Sequence, residues 1–294
     1  MLGTKCQWRF SDLVTQSFGG PWTQEKLEIL RRYLDAYTTS LKSQSFNLIY
    51  VDAFAGSGNW RPGMRYASDH YGEFNEMRKG SASIALDIQD KEFDQMIFIE
   101  KNQEFIASLN ALKRENPSRH IDIINNDANR VIPSLCRDMG AMDRAVVFLD
   151  PYATDVAWST IEQIAETEKI DCWILFPLMA ITRLMPVDRE PDEVLSARLD
   201  RVFGERKYWH DFYSRAQQQS LWGGGEKLER KRGSDQIAYA YRKRLISKFI
   251  KVAPTRRMLK NSMNSKLFDL FFAASNPKGA SVAVKIADHI LKNW

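Results

Sequence analysis

The chain is predicted to be an α/β protein with an open, mostly parallel sheet, helices on both faces and an inserted helical lobe. Apolar strand-like segments alternate with segments of helical period between residues 47 and 176. Alternation of this kind is typical of parallel sheets, whose strands are joined by crossover helices. After residue 181 the alternation stops, and strand character returns only near the C-terminus.

Each element is predicted from its period and its end signals. A helix is expected over 22–41, where apolar residues follow the helical period and Thr23 is a suitable N-cap. Strands are expected at 47–52, 96–100, 121–124, 145–149, 172–176, 257–259 and 267–273. Helices are expected at 81–88, 102–114, 129–139, 157–168 and 279–292, with several more within 182–253.

These elements divide the chain into four parts. An N-terminal helical segment (1–45) packs on an αβ core (46–181) that carries a long loop at 59–79. A basic helical insertion follows (182–255), and C-terminal strands and a helix complete the core (256–294).

Four of the predicted strands run directly into a carboxylate, at Asp52, Glu100, Asp127 and Asp150. The carboxyl ends of parallel strands face one crevice, which is where ligands bind in open sheets. We therefore expect these four acids to lie close together. Such a group favours a ligand that carries ribose hydroxyls, an amine, or both.

Two glycines, Gly56 and Gly58, follow the first strand in the segment 52–58 (DAFAGSG). Glycine permits a tight turn and a close approach to a ligand, although a plain turn explains the pair equally well. The third glycine of the dinucleotide fingerprint is missing, so a pyrophosphate site is not indicated. Asp52 is suited to pairing with a cationic amine.

The next two acids each have a functional and a structural interpretation. Glu100 is placed to accept hydrogen bonds from both ribose hydroxyls of a nucleotide, or is simply an exposed acid at the end of a strand. Asp127 is suited to accept from an exocyclic adenine amine, and it is equally suited to cap the helix at 129–139.

The triplet Asp150-Pro151-Tyr152 is the candidate catalytic site. It is close to the D-P-P-Y arrangement of enzymes that methylate exocyclic amines, with one proline fewer. A carboxylate and a neighbouring carbonyl accept the amine hydrogens, and the aromatic ring stacks on an extruded base. The alternative is a strand that ends at a proline, with Tyr152 packing against the protein.

A basic segment lies within the insertion. Residues 201–260 contain 16 Lys/Arg and 5 Asp/Glu, whereas the whole chain has a net charge of +5. This distribution fits a polyanion such as nucleic acid, or a solvated helical surface. Aromatic residues at 208–213 either stack on bases or pack a small core. The candidate phosphate contacts are Arg230, Lys231, Arg232, Arg242, Lys243 and Arg244.

Several sequence segments of the chain resemble those of the three-Cys-motif partner (TcmP) family, relatives of class I S-adenosylmethionine (SAM)-dependent methyltransferases. The matching segments lie between residues 22 and 292 and include 51–58, Gly80-Ser81, 98–100, 127–129, 148–152, 175–177 and 272–275. The resemblance implies a Rossmann-like, seven-stranded methyltransferase sheet. It also implies association with a radical-SAM-like three-Cys-motif partner, and a SAM pocket at Asp52, Phe54, Gly56, Gly58, Glu100, Asp127 and Ala128.

Other classes of protein are not indicated. The four histidines show no metal-ligand spacing, and there is no Walker A sequence or G-x-S-x-G elbow. Three scattered cysteines do not form a disulfide framework, and neither a secretion signal nor a transmembrane run is recognisable. We therefore expect a reduced, cytoplasmic protein that binds no metal and does not span a membrane.

The sequence predicts a SAM-dependent methyltransferase acting on nucleic acid, with a base amine as the acceptor. The first alternative is a non-catalytic subunit that uses the same fold to bind another protein or nucleic acid. The second is a nicotinamide dehydrogenase, since Glu100 also suits the ribose of that cofactor, although the missing third glycine counts against it.

Overall fold

The structure is a computed structural model, and it describes residues 16–17, 20–61, 78–89, 91–217, 226–230 and 233–294. Ten helices are found in these ranges: α1 Pro21–Leu41, α2 Ser81–Leu86, α3 Gln103–Glu115, α4 Ala128–Asp138, α5 Trp158–Glu166, α6 Leu178–Leu184, α7 Glu193–Phe203, α8 Lys207–His210, α9 Ser234–Ile246 and α10 Ala280–Lys292. The strands in the same ranges are β1 Gln16–Ser17, β2 Asn47–Asp52, β3 Asn59–Arg61, β4 Arg78–Lys79, β5 Gln95–Ile99, β6 Ile121–Ile124, β7 Asp143–Leu149, β8 Ile170–Phe176, β9 Tyr213–Gln217, β10 Glu226–Arg230, β11 Lys251–Val252, β12 Arg257–Lys260 and β13 Lys266–Ala274.

The central sheet has the order β11-β13-β8-β7-β2-β5-β6, with β12 also paired to β13. Strands β6, β5, β2, β7 and β8 run parallel to their neighbours, and β13 is antiparallel to β8. Strands β11 and β12 both pair antiparallel with β13, so the eight strands fill seven positions. Pro254 lies in the gap between β11 and β12, where its missing N–H interrupts the ladder. The predicted fold class, an open and mostly parallel α/β sheet with helices on both faces, is confirmed.

Both faces of the sheet are covered because successive strand residues point to opposite sides. Leu48 and Tyr50 of β2 pack in one apolar core, together with residues of α1, α2, α3 and α10. Ile49 and Val51 of the same strand pack in a second core, with residues of α4, α5, α6, α7 and α9. Burial on both faces explains why the central strands read as continuous apolar runs.

Helix α1 lies on the first face and packs on α2, α10 and β12. It begins at Pro21, with Gly20 as the N-cap residue, so the expectation that Thr23 caps it was wrong. Proline is favoured at the first helical position, where its missing N–H has no acceptor to lose. The Tyr33 hydroxyl donates a 2.7 Å hydrogen bond to Asp171 Oδ2, which joins α1 to β8.

The insertion differs from the prediction in three strands, because β11 also lies in the stretch expected to be helical. Residues 182–253 were expected to be helical, but β9 and β10 form an antiparallel hairpin between α8 and α9. The Arg230 N–H donates to Val187 O, so the hairpin is tied to the segment before α7. The long loop predicted at 59–79 has paired ends, since β3 and β4 are antiparallel neighbours. No helix in the described ranges combines the length and the apolar character that crossing a bilayer requires.

Candidate functional site

The four acids predicted to converge lie around one cleft at the carboxyl edge of the sheet. The cleft has a volume of about 700 Å³. Glu100, Asp127 and Asp150 line it directly, whereas Asp52 does not and lies behind the lining, directly before the lining residue Ala53. The lining also includes Phe54, Gly56, Gly58 and Ala128 from the predicted set, and Pro151 and Tyr152 beside Asp150.

Asp52 is fully buried at the end of β2. Burial raises the pKa of its carboxyl group to about 7, and the charges of Asp150 and Glu100 act in the same direction, although hydrogen bonds from Ser81 and the Phe54 N–H oppose the rise. Its Oδ2 atom has no partner at hydrogen-bonding distance among the described residues, although the hydroxyls of Ser81 and Tyr50 lie beside the carboxyl group. A buried carboxylate oxygen without a partner favours a cationic donor as its ligand.

Glu100 fixes the glycine loop that follows β2. Its Oε2 accepts a 2.8 Å hydrogen bond from the Gly56 N–H, and its Oε1 accepts one of 2.6 Å from the Asn102 N–H. Gly56 and Gly58 both have positive φ angles, of 58° and 78°, which residues with a Cβ rarely adopt. Each carboxylate oxygen has two lone pairs, so both oxygens of Glu100 retain capacity for a ligand hydroxyl.

Asp127 is the N-cap of α4, as the structural interpretation expected. Its Oδ1 accepts from the backbone N–H and the side-chain amide of Asn129, at 2.8 and 2.9 Å. Although burial opposes the shift, these hydrogen bonds and the Lys101 charge lower the pKa of Asp127. Its Oδ2 faces Lys101 Nζ at 3.6 Å, a distance that leaves it able to accept from a ligand. The cap therefore does not exclude a role in binding.

Asp150 is paired with a residue that sequence reasoning did not assign to the site. The Lys26 ammonium of α1 donates to Asp150 Oδ2, across 124 positions of sequence. Lys26 is 9% exposed and lines the same cleft. A signal for it was present, because Lys26 falls on the apolar stripe of α1, four residues before Leu30 and seven before Tyr33. A lysine on a buried stripe requires a partner.

The residues after Asp150 lie at the mouth of the cleft. Pro151 is buried, whereas Tyr152 is 70% exposed. Tyr152 therefore does not pack into the core, which was the alternative interpretation of this ring. Two exposed cations also line the cleft, Lys101 and Arg201, and Arg201 Nη2 donates to Asp155 O at 3.3 Å. Neither cation was assigned from the sequence.

The predicted phosphate contacts that the structure describes, Arg230, Arg242, Lys243 and Arg244, do not line the cleft. Arg230 donates to the carbonyls of Thr182 and Met185, and Arg242 donates to that of Ala253. Lys243 is exposed, with its ammonium 5.5 Å from the centre of the Tyr239 ring. Lys231 and Arg232 lie outside the described residues.

Arg244 is a correction to the predicted phosphate contacts. It is only 8% exposed, it lies over the rings of Trp158 and Tyr208, and its Nε donates to Phe203 O. A guanidinium enclosed in this way holds the lobe against the core and is not available to a phosphate. Trp209 and Phe212 are buried as well, so the aromatic cluster at 208–213 largely packs a small core.

The charge around the cleft is acidic. Six carboxyl side chains lie at its lining or directly behind it, namely Asp52, Glu100, Glu104, Asp127, Asp150 and Asp155, against Lys26, Lys101 and Arg201. This excess favours a ligand with positive charge. Among the described residues, no three His, Cys, Asp or Glu side chains are grouped to hold a metal ion.

Comparison with known proteins finds solved structures that are similar to the structure of this chain. A protein from Legionella pneumophila is 10% identical, with a TM-score of 0.49 over 93% of this chain and 92% of that one. A putative methyltransferase from Escherichia coli is 13% identical, with a TM-score of 0.33 over 76% and 94%. A SAM-dependent methyltransferase from Clostridium acetobutylicum is 8% identical, with a TM-score of 0.36 over 84% and 92%. No family model and no curated protein matches the chain.

Proposed function

We propose that the protein is a SAM-dependent methyltransferase whose acceptor is a base amine of nucleic acid. The observation that carries the proposal is the convergence of Asp52, Glu100, Asp127 and Asp150 on one acidic cleft. Bound SAM supplies an electrophilic methyl group on a sulfonium centre. The cleft fits such a molecule, because SAM also carries a ribose and an ammonium group.

Each end of the cleft has a separate task in this proposal. Glu100 accepts from the ribose hydroxyls with the lone pairs that Gly56 and Asn102 leave unused. Asp127 accepts from the adenine amine through Oδ2, next to Ala128. The unpartnered Oδ2 of Asp52 is suited to the ammonium group, through an intervening water or after a small movement of the loop.

The acceptor lies at Asp150 in this proposal. The carboxylate of Asp150 and a neighbouring backbone carbonyl accept the amine hydrogens, which aims the nitrogen lone pair into the cleft. Tyr152, exposed at the mouth, stacks on the extruded base. Phosphates are met by the exposed cations on the rim, Lys101 and Arg201, and by Lys243 on the lobe.

We also propose that the chain belongs to the TcmP family, because its sequence resembles that family between residues 22 and 292. A non-catalytic partner subunit, binding nucleic acid or a radical-SAM-like three-Cys-motif protein, is the second candidate. The Lys26–Asp150 pair favours it, because an ammonium already occupies the carboxylate meant for the acceptor. A cytoplasmic location is consistent with the free thiols of Cys136 and Cys172.

Titration calorimetry with SAM tests the cofactor site. We expect wild-type protein to bind SAM, and Glu100→Ala to weaken binding at least about tenfold, because the variant loses charge-assisted hydrogen bonds to both the ribose and the glycine loop. Glu115→Ala, at the exposed end of α3, is the matched control and should bind as the wild type does. No binding by the wild type would refute the cofactor site.

Methyl transfer is tested separately. Protein saturated with methyl-labelled SAM is incubated with DNA, RNA and protein from its own cells, and the labelled product is digested and identified. Label on a base amine supports the enzyme. SAM binding without transfer to any of the three would contradict it and favour the partner subunit.

A further inference from the structure

We propose that the acceptor is a base-paired segment of nucleic acid, and that Met263 fills the position that the extruded base leaves in the stack. The inference rests on the proposed function and extends it to a surface outside the cleft. That surface is the tip of the β12–β13 hairpin, residues 261–265, between β12 Arg257–Lys260 and β13 Lys266–Ala274.

The hairpin tip lies at the same edge of the sheet as the cleft. Strand β13 runs antiparallel to β8, and Asp269 of β13 pairs with Phe176, the last residue of β8. The hairpin therefore continues past the carboxyl edge, by about 10 Å as far as Lys266, and the turn at 261–265 stands further out. Strand β8 lies between β13 and β7, so the hairpin rises about 10 Å to the side of the strand that leads to Asp150.

The hairpin also contributes to the cleft itself. Phe268, near the start of β13, lines the cleft together with Asp150 and Tyr152. One hairpin thus carries a residue of the cleft lining and, at its tip, Met263. A nucleic acid that lies across the carboxyl edge with a base at Asp150 is therefore close to this tip.

Met263 is held out from the protein by an ordered turn. Its side chain is 83% exposed, more than any other large apolar side chain in the part of the chain that the structure describes. Asn261 Oδ1 accepts from the N–H groups of Met263 and Ser265, at 3.0 and 2.8 Å. The Asn264 N–H donates to Asn261 O at 2.9 Å, and its φ of 59° lies in the left-handed region that asparagine tolerates. Single exposed apolar residues are common on protein surfaces, but this one is fixed at a protruding tip beside a ligand cleft.

A methionine in this position has the properties of a wedge between bases. Proteins that open a base stack insert apolar side chains, methionine among them, between base steps. The polarizable thioether adapts to the faces of the neighbouring bases. The rest of the tip is polar, because Ser262, Asn264 and Ser265 are exposed, as is Lys260 below them. Such side chains donate to phosphates and sugars, so the tip suits a nucleic acid backbone better than an apolar protein surface.

The wedge indicates which form of nucleic acid is the acceptor. Extrusion of a paired base requires unpairing and unstacking, and it leaves a gap between the neighbouring bases. An apolar side chain that enters the gap restores part of the lost stacking. A base in a single strand turns into the cleft without leaving such a gap, so a protruding wedge favours a base-paired acceptor.

Fluorescence anisotropy with labelled duplexes tests the inference, with DNA and RNA as separate arms and saturating S-adenosylhomocysteine at the cofactor end. Each duplex is either intact or lacks one base at its centre. We expect wild-type protein to bind the abasic duplex about tenfold more tightly, because its gap accepts Met263 without extrusion of a base. A preference in either arm supports the inference, and the arm with the larger preference indicates which nucleic acid is the acceptor.

The decisive comparison is the variant Met263→Ala. Its preference for the abasic duplex should fall below about threefold, whereas Met263→Leu keeps an apolar wedge and should retain the preference. Met142→Ala is the matched control, since Met142 is also exposed but directly precedes β7, at the opposite edge of the sheet. Met263 belongs to neither apolar core, so its substitution should leave the melting temperature unchanged.

The two proposals fail in different ways. Equal binding of intact and abasic duplexes by the wild type, or a preference that Met263→Ala keeps, would overturn the role of Met263 while leaving methyl transfer intact. Tighter binding of the separated single strands than of either duplex would overturn the base-paired acceptor. If no nucleic acid binds although calorimetry shows SAM bound, the nucleic-acid acceptor is refuted, and the inference with it.

Discussion

Asp52 and Asp150 end neighbouring strands, β2 and β7, but their surroundings differ. Asp150 has a cation beside it in Lys26. No cation pairs with Asp52 among the described residues, and its burial raises the pKa of the carboxyl group to about 7, so it is close to half-protonated at neutral pH. The two aspartates at this edge of the sheet therefore differ in how much a cationic ligand would stabilise their ionised form. Asp150 is already neutralised in part, whereas Asp52 still needs a positive charge.

This difference predicts proton release when SAM binds. The ammonium group of SAM favours the ionised form of Asp52, so binding at pH 6, below the pKa of about 7, should release close to one proton. At pH 8 the release should nearly vanish. The affinity should therefore rise with pH up to about 7 and then level off. Calorimetry in buffers of different ionisation enthalpy measures both quantities.

Asp52→Asn is the control for this prediction. The amide cannot titrate, so proton release at pH 6 should disappear together with the pH dependence of the affinity. Wild-type protein that binds SAM without taking up or releasing protons between pH 6 and 8 would contradict the role of Asp52.

At the scale of elements, α1 connects two strands of the sheet to each other. Lys26 and Tyr33 are seven residues apart, about two helical turns, and lie on the same face. Lys26 reaches Asp150 after β7, and Tyr33 reaches Asp171 at the start of β8. The helix therefore spans the sheet from its carboxyl edge towards its opposite edge.

Tyr33→Phe tests this connection. Burial raises the pKa of Asp171 to about 7, and the hydrogen bond from Tyr33 partly opposes the rise. Without the hydroxyl, the variant should lose about 1–3 kcal/mol of unfolding free energy. The loss should be larger at pH 8 than at pH 5.5, because only the ionised carboxylate depends strongly on the donor. Urea denaturation at both pH values measures it.

Tyr37→Phe is the matched control for Tyr33→Phe. Tyr37 is buried on the same helix but donates no hydrogen bond to Asp171 among the described contacts. Removal of the Tyr37 hydroxyl should lower the unfolding free energy by less than removal of the Tyr33 hydroxyl does. This loss should be nearly the same at pH 5.5 and pH 8. A cost of Tyr33→Phe that does not change with pH would contradict the importance of the Asp171 charge.

At the scale of the whole molecule, three buried acids set the pH dependence of stability. Burial raises the pKa values of Asp52 and Asp171 to about 7 and that of Asp269 to about 6. These exceed the unfolded values, so the folded state binds more protons between about pH 4 and 7. The stability contributed by the three acids is complete below about pH 4 and is lost as the pH rises through 6 and 7.

We therefore expect the melting temperature to fall from pH 5.5 to pH 8, measured by scanning calorimetry at constant ionic strength. Paired acids act in the opposite direction at lower pH. The pKa of Glu28 is lowered to about 2 by hydrogen bonds from Arg31 and Arg32, so its contribution is lost only as the medium becomes strongly acidic. A melting temperature that rises from pH 5.5 to pH 8 would contradict the assignment of the three buried acids.

The sheet could be predicted from the sequence because each strand is marked by its own short run of apolar residues. Buried parallel strands are apolar runs that end in Asp52, Glu100 and Asp150, and the structure places these acids around one cleft. By contrast, the residues that pair with charged side chains lie far from them in the sequence. The pairing of Lys26 with Asp150, or the burial of Arg244 between two rings, depends on tertiary packing that periodicity does not encode.

The hairpin β9–β10 was missed for a different reason. Its strands are five residues each, mix polar and apolar side chains, and flank the glycines at 223–225. A segment so short and so rich in charge shows neither the helical nor the strand period of apolar residues clearly. The excess of basic residues in the insertion is real, but not all of them are free to contact phosphates. Some of these arginines donate to backbone carbonyls inside the lobe instead.

Asn129 has a consequence for how the two proposed ligands affect each other's binding. Its amide nitrogen donates to Asp127 Oδ1 and to Asp155 O, and its Oδ1 accepts from the Ala157 N–H. One side chain thus joins the cap at the proposed cofactor end to the loop that leaves the proposed acceptor end. We expect a first ligand to pre-order the site for the second, with cofactor and acceptor raising each other's affinity by the same factor.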